Sequence, residues 1–135
     1  MKYIVLLFGL FCFACKSSNQ LTFSFKDEDY QTVSKITDKG QVVTEVKANR
    51  NNHIQLMKIN YYPNGNISTI GFYLHDTLSG PYKLYQENGA LFVEGSFKRG
   101  VKDGKWIRRD DSGRVNLIEV YRDGVLLKDS VWGQK

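Results

Sequence analysis

Two histidines, one pair of adjacent aspartates and one acidic run are the residues of this 135-residue chain that could do acid–base or metal chemistry. His53 and His75 have no cysteine beside them and no metal-like spacing to one another, so they read as solvated loop residues. Asp110 and Asp111 lie in "DDSGR", where a carboxylate that hydrogen-bonds its own turn is a simpler use than general acid–base work. "KDEDY", Lys26 to Tyr30, has the acidity of a calcium loop but neither its length nor its glycine. Both cysteines, Cys12 and Cys15, fall within the first fifteen residues, which leaves the rest of the chain without a thiol for catalysis, a disulfide or a soft metal. The reading is a non-enzyme with no cofactor and no metal.

The formal charge of +5 is mild and dispersed, which argues against a nucleic-acid partner. Its densest cluster is Lys98, Arg99, Lys102, Lys105, Arg108 and Arg109. These cations read either as a solvated turn and strand face or as a patch for an acidic protein or anionic lipid. The aromatics Tyr61, Tyr73, Tyr82, Tyr85, Phe97, Trp106 and Tyr121 have two uses as well. They serve as cross-strand pairs on the apolar side of a sheet, or as anchors for a partner protein. Tyr73, Tyr82, Tyr85, Phe97, Trp106 and Tyr121 are the partner-binding candidates.

The opening "MKYIVLLFGLFCFAC" carries one cation, Lys2, and then an apolar run from Tyr3 to Phe13. Such a run suits a secretory signal and is too short for a stable membrane-spanning helix. Its exit on Ala14 and Cys15 resembles a bacterial lipoprotein signal, although Cys12 and Phe13 replace the usual leucine and small residue. That resemblance implies a signal over 1–14, a diacylglyceryl group on Cys15, a flexible tether over 15–20 and a lipid-anchored place in the cell envelope. Lys16 after the cysteine implies onward sorting to the outer membrane, at its periplasmic face. An ordinary signal peptide cleaved after Ala14 is the alternative.

The elements that must hold these residues follow from a period of 24. Gly65, Gly89 and Gly113 recur at that interval, as do Tyr73, Phe97 and Tyr121, Gly80 and Gly104, Gly100 and Gly124, and Tyr82 and Trp106. Repetition at a fixed interval marks an array of like units. "YPNGN", "QENGA" and "DDSGR" suit type I turns closed by a glycine of positive φ, the G1-bulge hairpin. The runs "NISTIGFYL", "ALFVEGSFK" and "RVNLIEVYR" after them read as strands. "HDTLSG" and "RGVKDG" are expected as glycine-bounded loops, each followed by a short strand. The predicted fold is all-β: an open, elongated antiparallel meander of repeated β-hairpins following an N-terminal signal segment. Residues 21–58 hold N-terminal strands, with an edge strand over Leu21 to Phe25 and a degraded first hairpin at Gly40. Residues 59–127 hold the repeats, and 128–135 a C-terminal cap.

"SFKRGVKDGKWIRRDDSGR" resembles the MORN repeat variant, through Phe97, Gly100, Gly104 and Trp106, with Arg109 in place of a tyrosine. In the preceding unit Tyr73, Gly80, Tyr82, Tyr85, Asn88 and Gly89 match, and Asp76 stands where glycine is expected. Proteins with this pattern include a YwqK-type antitoxin group and bacterial lipoproteins. The resemblance implies a non-catalytic repeat surface that binds another macromolecule, with an antitoxin or immunity role carried by the group label alone. The expected function is therefore a membrane-anchored, protein-binding module of the envelope, its partner unidentified. The alternative is a structural protein resting its basic face on anionic headgroups.

Overall fold

The computed structural model describes residues 27–131. The signal, Cys15, the tether and the expected strand over Leu21 to Phe25 lie outside the described residues, as does the chain from 132 on. After a short 3-10 turn at Asp27–Asp29 come nine strands: β1 Tyr30–Asp38, β2 Gln41–Asn49, β3 Gln55–Tyr61, β4 Ile67–Leu74, β5 Thr77–Tyr85, β6 Leu91–Lys98, β7 Val101–Arg109, β8 Val115–Arg122 and β9 Val125–Val131. They form one antiparallel sheet in sequence order. The fold is the all-β open meander that the spacing predicts, and the described residues contain no α-helix. Strands make extensive contacts only with their sequence neighbours, as in a quasi-one-dimensional array.

The reversals at one end of the sheet are the expected ones. Gly65 N–H donates to Tyr62 O at 2.9 Å and Tyr62 N–H to Asn66 O at 2.8 Å, and the same pair of bonds closes Gln86–Ala90 and Asp110–Arg114. Each is a type I turn whose fourth residue, a glycine, has positive φ. Successive turns are tied together: Tyr62 donates to Tyr85 O, Asn64 and Asn66 both donate to Glu87 O, and Gln86 donates to Asp111. The hairpin at Gly40 lies at this end too. There Lys39 and Gly40 reverse the chain alone, without the four-residue turn of the later hairpins, and all but one residue of β1 finds a partner in β2.

The opposite end differs from expectation. His75–Asp76, Arg99–Gly100 and Asp123–Gly124 are two-residue turns in which both residues have positive φ, the mark of the type I′ hairpin whose twist matches that of the strands. No six-residue loop forms, and the strands on either side are of similar length. Gly80 and Gly104 lie inside β5 and β7 instead. Between the pairs Gly71↔Tyr82 and Tyr73↔Leu78, three residues of β5 stand opposite Phe72 alone. The same wide bulge recurs in β7 between Glu94↔Ile107 and Ser96↔Asp103. With φ of 118° and 76°, Gly80 and Gly104 carry the backbone through these bulges.

What the bulges position is a ring over a glycine. Trp106 covers Gly95 so closely that an added Cβ would lie 2.2 Å from the indole, while Tyr82 covers Gly71 more loosely. Gly71 and Gly95 are one period apart. The last hairpin breaks the pattern. Glu119 takes the covered glycine's place, Ser130 the aromatic's and Lys128 the bulge glycine's. Only Leu127 is then left unpaired in β9, and Ser130 pairs with Ile118 while Asp129 pairs with Glu119. A shift of one residue reverses which side chains share a face.

The core lies on the other face, where Tyr30, Met57, Ile59 and Phe72 are buried and Tyr61, Ile67 and Ile70 pack against them. Tyr30 meets Phe72 edge-on, with centroids 5.8 Å apart. This contact joins β1 to β4, so the N-terminal strand contributes to covering this face. Burying a ring such as Phe72 contributes about 1.5–3 kcal/mol.

Gly95→Ala should lower the free energy of unfolding by about 2 kcal/mol in urea titration, because the indole has no room to retreat. Gly71→Ala, whose nearest neighbour is the flexible tip of Leu78 at 3.1 Å, should change it by less than ~1 kcal/mol. Equal effects would show that the ring over Gly95 is not a tight constraint.

Candidate functional site

Cross-strand partners share a face, and the register sorts the candidate residues accordingly. Tyr73, Tyr82, Phe97, Trp106 and Tyr121 belong to one side, opposite the core. Tyr82, Phe97 and Trp106 form a single cluster: Tyr82 and Phe97 meet edge-to-face at 5.4 Å, Phe97 and Trp106 at 4.9 Å, and Tyr82 and Trp106 tilt together at 6.1 Å. Such contacts are each worth about 0.5–1.5 kcal/mol beyond the area they bury. Tyr85 does not join them. It pairs with Leu91 as Tyr61 pairs with Ile67 one period earlier, which sets it on the core side.

Lysines clamp the two ends of the aromatic row. Lys58 Nζ lies 4.5 Å from the Tyr73 ring centre, and Lys102 Nζ lies 4.6 Å from those of both Trp106 and Tyr121. Lys102 also pairs with Glu119 at 3.4 Å and donates to the Tyr121 hydroxyl at 3.3 Å. Trp106 donates through its indole N–H to Ser96 O at 3.1 Å. At 4 % exposure, Trp106 serves as the cluster's floor, whereas Tyr73 and Tyr121 stay half-exposed. Burial, aided by neighbouring Tyr73, pushes the Tyr82 phenol above its ordinary pKa, so it remains a neutral hydroxyl. A cleft of about 350 Å³ beside the row is lined by Val93, Lys102, Trp106, Arg108, Leu117 and Glu119, among others. Further along this face the row becomes polar, with Thr44 donating to Asn60 at 2.8 Å and Asn60 to Thr69 at 2.7 Å.

The six basic residues are not brought together. Lys102 and Arg108 belong to the aromatic face. Lys105 pairs with Val120 and Arg109 with Val115, on the core side, where Arg109 bonds Glu94 at 2.6 Å. Lys98 and Arg99 stand at the two-residue turn, and Lys98 reaches Asp123 at 2.8 Å. Alternation along β7 separates neighbours that the sequence sets side by side, and local carboxylates pair with three of the six.

The residues weighed for chemistry occupy turns. His75 opens a two-residue turn and His53 lies in the β2–β3 connection. Asp110 accepts the N–H groups of Ser112 and Arg114 at 2.9 and 3.0 Å and the Ser112 hydroxyl at 2.6 Å, the turn role expected of the aspartate pair. Among the described residues no three His, Cys, Asp or Glu side chains gather as a metal group would. Reasoning from sequence missed Gly71 and Gly95, which their 24-residue interval could have revealed. It also missed Lys58 and Glu119, for which no sequence signal exists.

Comparison with protein-family models, with curated proteins and with solved structures finds no match.

The acidic turn groups set an expected pH dependence. The Ser112 hydroxyl holds Asp110, and Lys98 holds Asp123, below the usual carboxylate range, while the Asp123 hydrogen bond raises Lys98. The stabilisation from these carboxylates is complete above their unfolded values, near ~3.9, and is lost as pH falls through the lower folded ones. That from Lys98 is complete below its unfolded value, near ~10.4, and is lost as pH rises through the higher folded one. The melting temperature should therefore be level through neutral pH and drop below about pH 4, and Asp123→Asn should shrink that drop. An unchanged acid limb in the variant would show that this ion pair has no part in it.

Proposed function

We propose that this chain is a non-catalytic protein of the bacterial cell envelope, held at the membrane by a lipid on Cys15, whose β-hairpin sheet is a binding surface for another protein. The aromatic face carries the reading. Its rings are fixed by their own stacking and by two lysines, and among the described residues no second layer packs on them. A rigid row of tyrosines beside a shallow cleft offers large contact area at little entropic cost, and tyrosine is a favoured anchor of protein interfaces. The lipid anchor is supported by the placing of Cys15 after the apolar run. An antitoxin or immunity role is supported by the resemblance to MORN-variant proteins and would make the partner a toxin. The division of the basic cluster between faces leaves less support for a sheet resting on anionic headgroups.

A photo-reactive amino acid placed at Tyr73 or Tyr121 in living cells should yield one discrete cross-linked protein, and the same group at Ile118 on the other face should not. Absence of an adduct at both tyrosines would count against this face as the binding surface. Radioactive fatty acid should label the natural chain and not Cys15→Ala; label retained by the variant would refute the anchor.

A further inference from the structure

The strand at the end of the array combines three properties. β9 pairs with β8 and with no other described strand, so the N–H and C=O groups along its outer side have no partner in the described sheet. Six of its seven residues are exposed, and Val125, Leu126, Leu127 and Val131 are 62, 47, 52 and 64 % exposed. Its two central charges are poorly served by their own sheet: Lys128 faces the apolar Val120, and Asp129 faces a second carboxylate, Glu119. Like charges directly opposite on neighbouring strands are destabilising, and opposite charges stabilise by about 0.2–1 kcal/mol per pair.

We propose that β9 is a docking edge, to which an extended segment of a partner protein adds as an antiparallel tenth strand. Apolar residues of that segment flank an adjacent pair of charges, a cation opposite Asp129 followed by a carboxylate opposite Lys128. This rests on the protein-binding reading and names a place and mode for it. Main-chain bonds to the open edge supply affinity, and the side chains on alternate faces supply specificity. A second copy of this chain fits poorly. Lys128 is the midpoint of Val125–Val131, so two-fold pairing at full overlap would set it against Lys128 of the other copy. At the far edge, β1 carries Lys35 and two register shifts within nine residues, which discourage the addition of a regular strand.

The test uses the full chain and a synthetic peptide, Val-Thr-Arg-Glu-Val-Thr-Val, followed by fluorescence anisotropy. It should bind roughly tenfold more tightly than the same peptide with Arg and Glu exchanged. The double variant Lys128→Glu, Asp129→Lys should reverse the preference, which a loss of folding cannot do. Methylating alternate backbone nitrogens of the peptide should abolish binding. No binding, equal affinity for both peptides, or indifference to methylation would each overturn the docking edge. Adducts at Tyr73 or Tyr121 together with such a result would leave the protein-binding reading standing without this edge.

Discussion

The packing of Trp106 against Gly95 is the contact from which the aromatic face follows. A side chain at residue 95 would meet the indole at 2.2 Å, so the sheet gives up a Cβ in mid-strand to seat a large ring. Glycine within a strand costs stability through its backbone entropy, and the ring offsets that by covering the bare backbone and burying its own apolar area. The indole reaches this position only because three residues of β7 pass opposite one of β6, and Gly104 lets the chain make that detour. Phe97 and Tyr82 then close on the indole and on each other. One covered glycine, one bulge glycine and one ring thus form a unit, repeated more loosely by Gly71, Gly80 and Tyr82.

A meander with no second layer among its described residues must also hold its hairpins in line. The ties between turns do this at both ends of the sheet: side chains of Tyr62, Asn64 and Gln86 reach the next turn at one end, while Gly100 and Gly124 donate to Leu78 and Lys102 carbonyls at the other. These bonds join residues about one period apart, which is why the interval of 24 does not drift. Where the unit loses its ring and both glycines, at Glu119, Lys128 and Ser130, the register slips by one and the array comes to an end strand with exposed apolar side chains.

This construction bears on function through what it leaves available. On the core side Tyr30 packs on Phe72, and a cleft of about 700 Å³ lined by Met57, Ile59, Ile67, Ile70 and Phe72 stays open beside them, whereas the aromatic side is organised by contacts within the sheet. A surface organised in this way before any partner arrives loses little freedom on binding. Its buried member, Trp106, supports the shape, and the half-exposed tyrosines at its ends are the parts that can be touched.

The reversals were legible in the sequence because they are local: a left-handed residue is cheap only for glycine, and "YPNGN" and "QENGA" place it where a type I turn needs one. The meander, the equal units and the outer position of the turns follow from that. Faces were not legible, since they depend on counting through bulges that form only when two strands pair. That is why Tyr85 parts from the other aromatics, why the basic run along β7 divides between two sides, and why Gly80 and Gly104, which look like loop ends, lie within strands. The sequence by itself determined where this chain turns; pairing between strands decided which side chains meet.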